Sequence, residues 1–247
     1  MLETEDVREL VWRAFGEWAL RKVDPEWAAE RITHEPTRRL VTELGLPLQG
    51  PAYYSLILHE DQRYPTVREY FAANKPEVLE TRTCTEFGHY LFFADVNGED
   101  IYLAPESGRL YSLEGLHDSV KPVLVNSGVG EFLTFLAQIE LNRANAPLED
   151  LRDGDEETGE ADYDRALRSI LDGIVAGVRD VDPDAFPSDP DNDEGLETFW
   201  YPWLLKWADD DFAFDPWSWN RHSAEYFAAH GIDDLAEREP RHPVDLS

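Results

Sequence analysis

Apolar positions at the front of the chain recur with helical spacing. Val7, Leu10, Val11, Ala14, Phe15 and Trp18 fall on one face, with Thr4 ahead of them as N-cap. Asp24-Pro25 predicts a second, short helix, a capping carboxylate followed by proline in the first turn. Glu35-Pro36 predicts a third, ending at Gly45 as the left-handed residue with Pro47 beyond. Pro65 opens another short helix through Tyr70 and Phe71 that closes near Asn74.

The period then changes. "YLFFADVNGEDIYLAPESGRLYSLE" contains three β-rich runs, with Asn97-Gly98 as a tight hairpin turn and "PESG" as the next reversal. "PVLVN" (Pro122 to Asn126) predicts a fourth strand. A helix follows, with Val129, Phe132, Leu133, Leu136 and Ile139 facing inward and Ser127 as its cap. Strands joined by hairpins rather than by helices predict an antiparallel sheet and an α+β class. After an acidic link from Glu149 to Gly159 comes an unbroken stripe: Tyr163, Ala166, Leu167, Ile170, Leu171, Ile174, Val175 and Val178. The acidic, proline-rich "DVDPDAFPSDPDNDEG" precedes two aromatic helices, one around Trp200, Trp203 and Trp207, one led by Asp215-Pro216. The expected division is one domain over 1–236, with helices 160–236 as an appended part of it, and a loose tail over 237–247, where apolar content is low.

Composition narrows the classes. The 247 residues are 42% hydrophobic and 12% aromatic, enough for a packed core. Cys84 is the single cysteine, so an intramolecular disulfide, a zinc cluster and an iron–sulfur site are excluded. "TRTCTEF" carries no catalytic signature, and Cys84 reads as a small buried apolar residue. The longest run free of Asp, Glu, Lys and Arg is Leu44 to His59, broken by Pro47 and Pro51, too short for a membrane span. The acidic N-terminus argues against a secretory signal, and a cytoplasmic location is expected.

Charge is the most unusual property. The 52 acidic residues face 22 basic ones, a net −30, and Glu149 to Asp215 holds 22 acids and 5 bases, −17 of that excess. Such a surface repels DNA and RNA, whose binders supply cations to phosphates. It attracts a basic partner and speeds encounter with one. A proteome rich in acidic proteins would produce the same composition, and the two readings stand side by side.

Chemical motifs are sparse. There is no G-x-S-x-G elbow, phosphate-binding loop or dinucleotide fingerprint, and "GVG" at Gly128 to Gly130 reads as helix-cap geometry. Asp189, Asp191 and Asp193 alternate as in a calcium loop, but Glu194 stands where that loop needs glycine and Trp200 where it needs a bidentate glutamate. His34, His59, His89 and His117 lack zinc-hydrolase spacing, so neither a metal nor any other cofactor is expected. With 52 acids, carboxylate pairs occur at every spacing and single out no general acid or base. Five of the eight tryptophans lie between Trp200 and Trp219, beside Asp209, Asp210 and Asp211. Helical spacing suits core packing, and aromatics flanked by charge suit an interface.

Four phrases resemble, in order and spacing, the fourth subfamily of the SUKH superfamily: "THEPTRRLVTELGLP", "YPTVREYFAA", "DIYLAPESGRLYSLE" and "VLVNSGVGEFLTFLAQI". They span about Thr33 to Arg143, and the helix from Tyr163 with "DVDPDAF" is similar to the family's C-terminal continuation. The resemblance implies a short antiparallel sheet flanked by helices, without an active site. It also implies a bacterial antidote that binds a cognate polymorphic-toxin domain. The acidic insert and the Trp-rich C-terminal part depart from the pattern. Joined with the charge, it nominates Asp189, Asp191, Asp193, Glu194, Asp209, Asp210 and Asp211 for attraction to a basic toxin, with Trp200, Trp203, Trp217 and Trp219 as anchors. The alternatives are an intracellular scaffold or regulator, as the fungal relatives of the fold suggest, and a carboxylate-dependent hydrolase.

Overall fold

The computed structural model describes residues 4–48, 54–57, 62–96, 98–114, 120–145, 156–186 and 198–200. Helix α1 (Thr4–Phe15) leads through a 3₁₀ turn (Glu17–Ala19) into strand β1 (Leu20–Arg21). Helix α2 (Pro25–Arg31) starts as its dipeptide predicts, the Asp24 carboxylate accepting from Trp27 N at 2.7 Å. Helix α3 (Glu35–Arg39) runs into a π turn (Leu40–Leu44), where Gly45 N donates to the Leu40 carbonyl and Gly45 ends the helix at φ +84°. Strand β2 (Leu46–Pro47) then pairs antiparallel with β1.

The main sheet has five antiparallel strands in chain order: β3 (Tyr54–Leu56), β4 (Leu91–Val96), β5 (Glu99–Leu103), β6 (Leu110–Glu114) and β7 (Lys121–Asn126). This is the expected α+β class. Between β3 and β4 lie α4 (Val67–Asn74), a 3₁₀ turn (Pro76–Val78) and α5 (Arg82–Phe87). Helix α4 opens at Val67, two residues after Pro65, and Thr66 caps it: the Thr66 hydroxyl accepts from Glu69 N while the Glu69 carboxylate accepts from Thr66 N. Cys84 sits in α5, buried and free as expected.

After β7 come α6 (Val129–Asn145) and α7 (Glu156–Val181). Gly128, not Ser127, takes the N-cap position of α6, its carbonyl accepting from Phe132 N. Helix α7 begins inside the stretch read as an acidic link, because glutamates favour the first turn of a helix. Helix α1 packs on α6 and α6 on α7. Val7, Val11, Phe132, Leu136, Ile174 and Val178 meet Phe93, Val96, Ile101, Leu103 and Val125 in one inner core that runs as far as Trp200. A smaller outer cluster lies under α4 and α5: Val67, Phe71, Val78, Cys84, Phe92 and Tyr102.

A β-bulge decides which residues face which cluster. Leu91 pairs with Leu103 and Phe92 with Tyr102, but Ala94 pairs with Ile101, leaving Phe93 as the extra residue. The alternation is thereby reset: Phe93, Ala94 and Val96 all join the inner core, and Asp95 stays on the outer face.

Candidate partner-binding site

The fold joins the recognisable phrases in pairs. The Pro105 carbonyl of "APESG" accepts from Thr33 N at 3.1 Å and His34 N at 3.0 Å, docking that turn on "THEP". Gly108 (φ +73°) lies so close to His34 and Thr37 that a β-carbon would fall on both side chains. Val67 N donates to the Tyr90 carbonyl and Phe92 N to the Pro65 carbonyl, tying α4 to the sheet. The third junction links "VNS" to "DVDPDAF" across 56 residues: Asp182 Oδ2 accepts from Asn126 Nδ2 at 2.9 Å and from Ser127 N at 3.0 Å. Asn126 and Asp182 are both buried.

Trp200 completes that junction and corrects an expectation. Its indole N–H reaches the Val125 carbonyl at 2.9 Å and Asn126 Oδ1 at 3.1 Å. Its ring lies 4.4 Å from Phe135 and 4.8 Å from Phe199, and it is 0% exposed. A side chain with no exposed surface cannot anchor a partner, so Trp200 belongs to the core. Asp189, Asp191, Asp193, Glu194, Trp203, Asp209, Asp210, Asp211, Trp217 and Trp219 lie outside the described residues, as does the tail 237–247.

The outer face of the sheet has its own order. Phe92, Tyr102, Tyr111 and Leu124 are successive cross-strand partners on β4 to β7. Beside this row Asp95 pairs with Asp100, and Leu113 pairs with Pro122. Phe92 and Tyr102 are buried; Tyr111, Leu113 and Leu124 are half-buried, and Pro122 is exposed. Asp95 Oδ1 accepts from Gly98 N and Asp100 Oδ2 from the Tyr102 hydroxyl, each at 3.0 Å.

Burial holds both carboxyls above the ordinary carboxylate value. For Asp95 the Gly98 N–H opposes the shift and the Asp100 charge adds to it. For Asp100 the Tyr102 hydroxyl and the Lys75 charge oppose it. Burial, then the Asp100 charge, raises the Tyr102 phenol. Two carboxyls displaced in the same direction do not divide into an acid and a base. Burial pushes the Cys84 thiol up, and the Arg68 guanidinium pulls it partly back. Among the described residues no three His, Cys, Asp or Glu side chains could hold a metal ion, and no helix is long and apolar enough to cross a membrane.

Reading the sequence alone, with carboxylates so plentiful, passed over Asp95 and Asp100. The signal was the hairpin: counting outward from the two-residue turn at Asn97-Gly98 sets Asp95 opposite Asp100.

A sequence model of the SUKH-4 immunity protein family matches residues 7–204 of the 247. No curated protein and no solved structure matches the chain.

Proposed function

The chain belongs to the SUKH-4 immunity protein family, and on that premise we propose that it neutralises a cognate toxin domain by binding it and covering the surface the toxin needs. The observation that carries this reading is the family match over most of the chain. The protein acts by occupancy, in the cytoplasm, with no cofactor and no chemical step of its own. The net charge of −30 supports a basic toxin, such as one whose cleft receives nucleic acid, with acidic side chains standing in for phosphates. Asp189, Asp191, Asp193, Glu194 and Asp209 to Asp211 supply long-range attraction, and Trp203, Trp217 and Trp219 supply apolar contact. Safe restraint of a lethal activity calls for about nanomolar affinity, roughly −12 kcal/mol.

Co-expression with the terminal domain of the toxin encoded beside it is the test. Growth is rescued and the two proteins co-purify; cells that die as fast with the protein as without it overturn the reading. Reversing the charges of Asp209 to Asp211 slows association and flattens its dependence on salt, measured by stopped flow. An unchanged on-rate removes that segment from the interface.

A further inference from the structure

The two sheet faces differ in closure. The inner face is buried in the larger core with α1, α6 and α7. On the outer face α4 and α5 bury Phe92 and Tyr102, and cover thins along the same rows through Tyr111, Leu113 and Leu124 to exposed Pro122. A single exposed apolar side chain means little, but these four occupy adjacent register positions on β6 and β7 and form one continuous strip.

Beside that strip stand two like charges. Carboxylates directly opposite each other on neighbouring strands repel, and Asp95 and Asp100 are both partly withdrawn from water as well. Lys75, whose charge acts on Asp100, has an exposed side chain. An incoming ammonium or guanidinium group would offset both the repulsion and the lost hydration, while an apolar neighbour on the same partner covered the strip. Adding a strand at the β7 edge is a poorer way to bind there. Pro122 lacks an N–H, and the Val125 carbonyl already accepts from Trp200.

We propose that this outer face is where the toxin domain docks: a Lys or Arg of the toxin seats against the Asp95–Asp100 pair, and an adjacent apolar side chain covers Tyr111, Leu113 and Leu124. The proposal rests on the toxin-binding reading and adds the surface to it. Its short-range contacts are separate from the attraction assigned to the acidic segment beyond Pro187.

The test uses the full chain and a catalytically inactivated domain of the neighbouring toxin, with binding followed by biolayer interferometry at low and physiological salt. Asp95→Asn with Asp100→Asn weakens binding by about tenfold or more and reduces its salt dependence. Tyr111→Ser weakens it by about tenfold with little change in salt dependence. Trp12→Ala is the control: Trp12 is 43% exposed on α1, in the helical layer over the inner face, and its loss leaves affinity within about twofold. Circular dichroism melts show the asparagine pair at least as stable as the parent, so weaker binding there is not unfolding. If the parent binds and both outer-face changes bind within about twofold of it, this face is not the docking surface and the toxin-binding reading survives. If the parent chain itself does not bind, that reading fails and the docking face with it.

Discussion

On the side of the sheet toward α1, α6 and α7, closure is nearly complete: Phe93, Val96, Ile101, Leu103, Leu110 and Val125 are all 0% exposed. On the opposite side the same strands carry two half-buried carboxylates and an apolar strip that is only half-buried as it runs from the α4 and α5 cluster to exposed Pro122. The difference separates two demands on one sheet. Close packing holds the fold together, since each buried side chain contributes through the water it leaves and the atoms it touches. Like charges held side by side do the reverse, and the inner core is large enough to tolerate them.

The largest effect is expected at Trp200, the largest side chain of the inner core. Trp200→Ala removes a fully buried indole and leaves the Val125 carbonyl and Asn126 Oδ1 without its donor. It destabilises the protein by about 4 kcal/mol, read as a fall in the urea midpoint. A loss below about 1 kcal/mol would mean that the inner core does not hold the chain together. A smaller effect is expected at the outer layer, where Thr66→Ala dismantles the capping box of α4 at a cost of about 1 kcal/mol in the same titration. The smallest effect has the opposite sign. Replacing Asp95 and Asp100 together by asparagine stabilises the fold by roughly 0.5 kcal/mol at neutral pH, a melting temperature about 1–2 °C higher.

That last gain depends on pH. Both carboxyls titrate above their usual value when folded, so the folded chain holds those protons more tightly than the unfolded chain. Stability from this pair is therefore fully present below the ordinary carboxylate range and is lost as pH rises through the elevated values. The asparagine variant gains its advantage over the same window and loses it at about pH 4 and below. Thermal melts across that range decide the matter; a constant difference would show that the two carboxyls are not the source.

Local chemistry made much of this legible in the sequence. Asp24-Pro25 announced α2, Asn97-Gly98 announced the β4–β5 hairpin with Gly98 at φ +85°, and the stripe Val129 to Ile139 announced α6. Strands β1, β2 and β3 escaped because runs of two or three residues show no alternation. The π turn at Leu40–Leu44 escaped because its spacing differs from an α-helix by one residue within a single turn. At the level of the site, the contact between Asn126 and Asp182 depends on how α7 packs on α6, which no local pattern encodes. Trp200 had the spacing for either a core or an interface, and only its neighbours Phe132, Phe135, Phe186 and Phe199 decide between them.

The bulge at Phe93 carries an evolutionary consequence. Were one residue inserted between Ile101 and Tyr102, opposite Phe93, with Phe92 still paired to Tyr102, the bulge would close and the alternation beyond it would reverse on both strands, sending Asp95 and Asp100 inward and their neighbours outward. One codon of length, with every flanking amino acid unchanged, would thus exchange an anionic exterior for an oily one. The same exchange would bury two carboxylates, so the cost of losing the bulge is what keeps it in the strand.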